Sequence, residues 1–221
     1  MKKTFGLTLI LFVLSSTIFI LRAQTYRIEA GYSQPRIYSS EISHRYFQGI
    51  RLGATVDFEV PQANFLGIHT GLFYSHTFGN DAQKHRYTSI SDSIRINTQG
   101  HYLDIPLHVT ASYNIFKKVK AFAFAGPNFN IGLYMPQSVE TTITDGTGLQ
   151  FIEEFGYRLG SSNLYDGRLR RFNLQFEAGG GVQWWKIQVK GGYSFGINNL
   201  SKLDFHKQRQ SGWFASIAYE F

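Results

Sequence analysis

Charged side chains alternate with apolar ones in several segments of the chain. The nine that share this pattern are Arg27, Glu29, Arg51, Asp57, Asp104, Glu177, Lys186, Lys190 and Glu220. Four cations and five carboxylates on one side of extended segments can form a paired network, whereas a pore selective for ions of one sign needs a ring of like charges. If the first and last segments pair, Arg27 and Glu220 become neighbours.

Histidines next to hydroxyl groups are the other residues that could carry chemistry. Ser75, His76 and Thr77 are consecutive, and His108 precedes Thr110 by two positions. A nucleophile and its base must lie within hydrogen-bond reach, but consecutive residues of a strand point to opposite faces. His76 therefore points away from both of its neighbours, and His108 shares the face of the charged residues. The sequence predicts no catalytic site.

Neither a metal nor a cofactor is expected. The chain has no Cys, and His44, His69, His85, His101, His108 and His206 lack the spacing of metal ligands. The glycines at 179–181 resemble no phosphate-binding loop, because no helix follows them; they are expected to allow curvature and close packing of strands. The net charge of +7 comes from scattered Lys and Arg, which disfavours nucleic-acid binding.

The elements that must position these residues are strands. Alternation with a period of two recurs in eight segments, at about residues 26–33, 50–58, 66–75, 103–113, 119–133, 172–184, 186–198 and 211–221. In the segment 119–133 the phase is open, because Phe122 and Phe124 fall on the side that later carries Asn128 and Asn130. Aromatic residues make up 16% of the chain and charged residues 17%, a balance that favours β structure with much apolar surface.

The position of the aromatic residues distinguishes a membrane barrel from a soluble sandwich. On the apolar faces, one end of the strands carries Tyr26, Phe58, Tyr113, Trp184, Tyr219 and Phe221, and the other end carries Tyr32, Phe172, Phe195 and Trp213. Two girdles of aromatic residues, one on each side of an aliphatic band, are typical of transmembrane barrels. The sequence thus predicts an all-β fold: an eight-stranded antiparallel up-and-down transmembrane β-barrel whose lumen its own side chains fill.

The lengths of the connections agree with this topology. Short connections alternate with long polar ones, and the long ones lie at about residues 34–47, 79–100, 134–171 and 199–210. Periplasmic turns and extracellular loops alternate in this way, and an even number of strands places both termini in the periplasm. The apolar face of the last strand then meets lipid, and the strand pairs with the first one.

The N-terminus reads as a signal peptide. Residues 1–23 start with Lys2 and Lys3, continue with an apolar run and end at Ala23, so that the barrel domain would span residues 24–221. An uncleaved membrane anchor is the alternative, since the apolar run approaches the length of a short spanning helix.

Two motifs carry a resemblance to a known family. The segment HYLDIPLHVTASY (101–113), the stretch FEAGGGVQWWKIQVKGGYSFGINNL (176–200) and the terminal aromatic residue resemble the PorT-like outer-membrane β-barrel family of Bacteroidota. Ile197 stands where that family usually has Leu. The resemblance covers essentially the whole mature chain and implies a small OmpA- or OmpX-like barrel in the bacterial outer membrane. Tyr219 and Phe221 also resemble the C-terminal signal that the barrel-assembly machinery recognises.

The long connections contain the residues expected to contact partners. Asp145 and Gly146 lie between two alternating runs and predict a hairpin; its acidic residues form either a solvated face or a Ca²⁺ site. The cations expected to contact the phosphates of lipopolysaccharide are Arg158, Arg168, Arg170 and Arg171. Ser93 lies in Asp92-Ser93-Ile94, which resembles a short acceptor for O-glycosylation.

The function expected from these features is a structural or surface-interaction role in the outer membrane, without a solute channel, and with an envelope protein as a partner of the loops. Two alternatives remain open. One member gave the PorT-like family its name as a part of the type IX secretion machinery, so the chain could be an accessory component of such a machine. The second alternative is a lipid-modifying enzyme.

Overall fold

Antiparallel strands make up nearly all of the structure, a computed structural model that describes residues 22–39, 45–61, 63–87, 90–142, 160–202 and 207–221. The strands are β1 (Arg22–Ser39), β2 (Arg45–Tyr46), β3 (Gln48–Val60), β4 (Ala63–Tyr87), β5 (Ile90–Phe116), β6 (Val119–Tyr134), β7 (Pro136–Thr142), β8 (Gly160–Asn163), β9 (Phe172–Trp184), β10 (Ile187–Gly196) and β11 (Gln208–Glu220). A short 3₁₀ helix, Leu164–Asp166, follows β8. None of the described residues forms a helix long and apolar enough to cross a membrane.

Eight of these strands close into a barrel. The order around the wall is β1, β3, β4, β5, β6, β9, β10 and β11, and β11 returns to β1. In this last pairing Arg27 lies opposite Glu220, the two residues predicted to be neighbours. Closure leaves no unpaired edge in the wall, which satisfies the backbone groups of a barrel surrounded by lipid. The predicted eight-stranded antiparallel fold is confirmed.

The two ends of the barrel differ. At one end, here the turn end, two-residue connections at 61–62, 117–118 and 185–186 join neighbouring strands. Trp185 has φ 55° in the last of these turns. The start of β1 and the terminal Phe221 lie at the same end, because Arg22 pairs with Glu59 and Glu220 N donates to Lys186 O at 2.8 Å. The opposite end is here the loop end.

The outer face of the wall is apolar and the inner face is mostly polar. Ile50, Leu52 and Val109 are each about 60% exposed on the outside. Arg51, which lies between the first two, and His108, which precedes Val109, are buried. A water-soluble protein would bury these aliphatic side chains, because each costs free energy when it meets water. The wall therefore has the inverted polarity that suits a hydrocarbon surrounding.

Strand pairing extends further at the loop end than the sequence indicated. β4 has 25 residues and β5 has 27, so most of the predicted loop 79–100 is a regular hairpin. Likewise, β1 continues to Ser39 within the predicted loop 34–47. Within the predicted loop 134–171, β7 pairs with β8 between Pro136 and Asn163, in a register that is not centred on the predicted hairpin turn. The Asp145-Gly146 tip of the predicted hairpin lies outside the described residues. So does the predicted signal peptide, except for its last two residues, with which β1 begins.

The phase of the fifth predicted strand is now settled. In β6 the even-numbered residues face the lumen, with Phe124, Asn128 and Asn130 all buried. The pattern looked inconsistent because aromatic rings and amides share one face, and the outward positions at the turn end are small alanines.

Candidate functional site

The lumen is filled by side chains from all eight wall strands. Aromatic rings occupy its middle, and glycines at the paired positions of the neighbouring strand make room for them. A Cβ atom on Gly181 would lie 2.6 Å from Phe122 Cζ, and one on Gly179 would lie 2.7 Å from Phe124 Cζ. The carbonyl oxygens of Val189 and Gly191 would lie nearer still. Such distances are too short for any real contact, so these glycines are required by the backbone of β10 and by the rings inside the barrel. The backbone contacts agree with the close packing of strands predicted from sequence, and the rings add a second reason for glycine.

The first ionic cluster lies at the turn end of the lumen. Arg27 forms salt bridges with Asp57 and Glu220, and its Nη2 lies 2.9 Å from Glu220 Oε2. Gln183 also donates to Glu220 at 2.8 Å. On the other side, Asp57 Oδ1 lies 2.5 Å from His69 Nδ1. One buried guanidinium thus neutralises two carboxylates across the seam where the barrel closes.

The second cluster lies deeper in the lumen and is more fully buried. Lys190 Nζ lies 2.9 Å from Glu29 Oε2 and 3.2 Å from His69 Nε2. Ser216 donates to the other oxygen of Glu29 at 2.7 Å. Glu29 has no exposed surface and Lys190 is 6% exposed. Burial of both charges costs solvation energy, so each depends on the other.

A third group surrounds Glu177. Its carboxylate accepts from Ser194 at 2.8 Å, lies 3.2 Å from His108 Nε2 and lies 4.0 Å from Arg51 Nη1. The Arg51 guanidinium also lies over the Phe73 ring at 4.4 Å and near the Phe214 ring at 4.9 Å. Contacts of this kind between a cation and a ring stabilise a buried guanidinium whose nearest carboxylate, Glu177, lies at the limit of a salt bridge.

A fourth, largely uncharged cluster faces the loop end. Asp104 accepts from Ser75 at 2.5 Å, from Asn130 at 2.7 Å and from Asn128 at 3.2 Å. Asn128 donates a second hydrogen bond to Gln175 at 3.2 Å. These amides continue the network across β5, β6 and β9. The sequence did not indicate that these amides belong to the network. Their inward direction can be derived only once it is known which face of β6 points into the lumen.

Above this polar layer an apolar cluster, here the cap, closes the loop end. Its buried members are Phe47, Tyr102, Met135, Leu164, Tyr165, Leu169 and Leu200. Arg171 holds the cap to the wall, because its Nη1 donates to Leu133 O at 2.5 Å and its guanidinium lies 5.1 Å from the Tyr165 ring. Burial raises the pKa of the Tyr165 hydroxyl, which therefore stays neutral.

The remaining free volume is small. A cavity of about 60 Å³ opens beside Arg27 and Lys190 at the turn end. A second cavity of about 50 Å³ lies between the Asp104 cluster and the cap. Each holds a few water molecules at most. Within the described ranges no group of three His, Asp or Glu side chains is placed to hold a metal ion.

Eight of the nine predicted lumen charges face the interior, and Lys186 does not join them. Lys186 lies in the turn after Trp185, and its Nζ is 5.9 Å from the ring of the outward-facing Tyr219. The positive φ of Trp185 interrupts the alternation before β10 begins, so the predicted inward phase of Lys186 is wrong. Glu220 is the least buried of the others, with 26% of its side chain exposed.

The other predicted residues are more scattered. Tyr219 and Phe221 form an edge-to-face pair on the outside, with centroids 5.6 Å apart. Of the basic cluster, Arg170 is exposed at the loop end, Arg171 is committed to the cap, and Arg158 lies outside the described residues. The backbone of Ser93 pairs within β5 with both β4 and β7, and its side chain lies outside the described part.

Two outward-facing histidines form a stacked pair that the sequence did not predict. His76 and His101 are cross-strand partners on β4 and β5, and their rings stack with centroids 4.5 Å apart. Tyr74 O–H lies 2.6 Å from His101 Nδ1. Register between the two strands brings them together, which the sequence spacing does not show.

Comparison with known proteins assigns the family. The family model described as outer membrane protein beta-barrel domain matches residues 23–202. The chain belongs to this family. It is therefore an outer-membrane β-barrel protein, and the apolar exterior of the wall is the surface that meets lipid.

Solved structures of small barrels resemble the chain at low sequence identity. Neisserial surface protein A is 12% identical, with 90% of this chain and 100% of that chain covered and a TM-score of 0.44. The attachment invasion locus protein Ail of Yersinia pestis is 14% identical, with coverages of 89% and 98% and a TM-score of 0.37. The N-terminal barrel domain of Pseudomonas aeruginosa OprF is 6% identical, with coverages of 87% and 97% and a TM-score of 0.31. No curated protein matches the sequence.

Proposed function

We propose that the protein is a plugged outer-membrane barrel whose function is a surface interaction at the loop end, without a solute channel. The turn end and both termini face the periplasm, and the cap faces the outside. The observation that carries this proposal is a sheet that projects beyond the wall. It consists of residues 79–87 of β4, residues 90–100 of β5, and β7 with β8, and is here the projecting sheet.

The projecting sheet has the properties of a docking platform. β4 pairs with β3 up to Phe78, and beyond that residue no other described strand pairs with its second edge. β8 pairs only with β7 within the described part of the chain. An exposed strand edge offers backbone N–H and C=O groups to an extended partner, so strand addition is the recognition mode that this geometry favours.

The filled lumen supports a role other than transport. Charges of both signs are paired at the turn end and middle, amides and the Asp104 carboxylate form the layer above, and an apolar cap closes the loop end. A solute would have to displace all three layers. We therefore assign the interior to stability, with the loops as the binding surface.

Two features argue against the enzymatic alternative. The hydroxyl of Ser75 points into the lumen and donates to Asp104, whereas His76 faces outward. The outward His101 contacts a tyrosine hydroxyl, and no serine reaches it among the described residues. The PorT-like assignment and a role in type IX secretion rest on the sequence resemblance alone. Recognition of Tyr219 and Phe221 by the barrel-assembly machinery is proposed on the same ground.

Shortening the projecting sheet tests the proposed function. Asp81 and Ile96 are cross-strand partners, so residues 82–95 can be replaced by Asn-Gly without a change of register. Cells that carry the intact barrel should attach more strongly than cells without it to at least one surface in a panel of matrix proteins and neighbouring bacteria. The shortened variant should lose this gain and still migrate as a heat-modifiable barrel. Equal attachment by both would refute the role of the sheet.

Channel activity and orientation need separate measurements. Purified protein in planar bilayers should show no stepwise conductance, and regular steps would contradict the filled lumen. The chain lacks Cys, so single cysteines can be labelled selectively. An impermeant maleimide should label Ser161→Cys on intact cells, and Lys117→Cys only after the outer membrane is permeabilised. The reverse pattern would invert the proposed topology.

A further inference from the structure

A pair of arginines occupies the outer face of the closing seam at the loop end. Arg36 of β1 and Arg209 of β11 both point outward in the strand alternation, because Pro35 lines the inner cavity, Ile37 packs against the cap and Gln210 is buried. Arg209 lies opposite Tyr38 in the register, so Arg36 and Arg209 are diagonal neighbours across the seam. Arg209 is exposed, and neither arginine forms a salt bridge with an acidic side chain within the described ranges.

Aromatic side chains hold Arg36 in position. Its Cζ lies 4.5 Å from the centroid of the Tyr38 ring, and its Nη2 donates to the Tyr193 hydroxyl at 3.2 Å. Tyr46 of β2 lies directly opposite in the register. A guanidinium stacked on a ring and fixed by a hydroxyl is pre-organised, and its remaining N–H groups can bind an acceptor without a large loss of rotamer freedom.

The height of this pair in the wall identifies its surroundings. Tyr26 belongs to the girdle of aromatic residues at the turn end, and Arg36 faces outward ten residues further along the same strand. At a rise of roughly 3.3 Å per residue and a strand tilt of roughly 40°, ten residues span about 25 Å along the membrane normal. This is the height of the apolar band of an outer-membrane barrel. Arg36 therefore lies at the level of the outer lipid headgroups.

The residues below the pair have the composition of an interface. Trp213 donates from Nε1 to Gln34 Oε1 at 2.8 Å, and its ring lies 5.4 Å from the ring of Tyr32. Indole and phenol side chains settle where hydrocarbon meets headgroups. Two guanidinium groups immediately above such a belt, with no carboxylate among their described neighbours, match a phosphate in charge and in hydrogen-bond geometry.

We propose that Arg36 and Arg209, with Tyr38 and Tyr193, form a binding site for a phosphate group of an outer-leaflet lipid, and that this lipid is a phosphorylated glycolipid. The site rests on the outer-membrane location and not on the projecting sheet. It also differs from the basic cluster predicted from sequence, because Arg171 in that cluster is committed to backbone carbonyls of the wall.

Lipid binding to the purified barrel tests the site. Native mass spectrometry in detergent gives apparent dissociation constants for bisphosphorylated lipid A, for the same glycolipid without phosphates and for phosphatidylglycerol. Arg36→Gln should weaken binding of the bisphosphorylated lipid about tenfold, the effect of one lost charge-assisted contact. Arg36→Lys should lie between the wild type and this variant, because it keeps the charge and loses the planar fork. Tyr193→Phe should weaken binding less than Arg36→Gln.

Matched controls separate this site from a general effect of charge. Arg170→Gln removes an exposed arginine at the same end of the barrel and should leave the dissociation constant unchanged. Equal losses in Arg36→Gln and Arg170→Gln, or unchanged binding when phosphates are removed from the wild-type ligand, would overturn the proposal. Binding of phosphatidylglycerol as tight as that of lipid A would overturn the glycolipid assignment and leave the phosphate site in place.

Discussion

The buried pair of Glu29 and Lys190 offers a quantitative test of the lumen network. Lys190→Met removes the cation and keeps a chain of similar length against the rings of Phe73 and Phe124, which lie 5.9 and 5.6 Å from the ammonium group. Glu29 then remains as a fully buried carboxylate that has lost its partner at 2.9 Å. Breaking a buried pair from one side costs about 3–5 kcal/mol of the free energy of unfolding.

The double variant should recover most of this loss. Glu29→Gln alone leaves the Lys190 ammonium without its closest partner and should also cost about 3 kcal/mol. In Glu29→Gln with Lys190→Met, no charge of the pair is left, and the amide still accepts from Ser216. We expect the double variant to lose less than about 2 kcal/mol, which gives a coupling energy larger than the roughly 0.5 kcal/mol of independent sites.

Urea unfolding of the barrel in lipid vesicles, followed by tryptophan fluorescence and by heat-modifiable migration, measures these values. Lys120 and Glu59 supply a matched control, because this pair is 4.0 Å apart with side chains 35% and 52% exposed. A corresponding cycle there should give a coupling of about 0.2–1 kcal/mol or less. Additive losses at Glu29 and Lys190, with a coupling energy no larger than that of the control pair, would refute the assignment of the lumen as a paired, buried network.

Three further predictions concern the same wall. Arg27→Ala and Glu220→Ala should destabilise the barrel non-additively in the same assay, because one guanidinium serves two carboxylates; strict additivity would contradict the seam pairing. Gly181→Ala should cost about 1–3 kcal/mol through contact with the Val189 carbonyl oxygen and with a lumen ring, whereas Gly167→Ala, which meets nothing within 4 Å, should be neutral. Deletion of Phe221 should lower the heat-modifiable fraction in outer membranes, and an unchanged fraction would exclude a role in assembly.

The sequence shows one group of arginines and does not show the other. Arg168, Arg170 and Arg171 form a visible cluster in the sequence, yet Arg171 binds wall carbonyls and packs on Tyr165. Arg36 and Arg209 are 173 positions apart and look unremarkable in the sequence. Only closure of the barrel makes them neighbours, because β1 and β11 pair across the seam.

The sequence by itself determined the strands, their number and the side of most residues. A period of two assigns each side chain to one face, and the cost of exposing aliphatic surface or burying charge makes that assignment unambiguous where the two kinds alternate. This local rule placed Arg27, Glu29 and Lys190 in the lumen. It failed at Lys186, where a positive φ at Trp185 breaks the alternation.

Contacts between strands were decided by the tertiary structure. Which glycine faces which ring, which carboxylate meets Lys190 and how far β4 and β5 project above the wall all depend on register and on closure. Register follows from many weak cross-strand preferences summed around the whole barrel, and no single segment contains that sum. The faces of the strands are therefore local information, whereas the lumen network, the cap and the arginine pair at the seam are properties of the closed barrel.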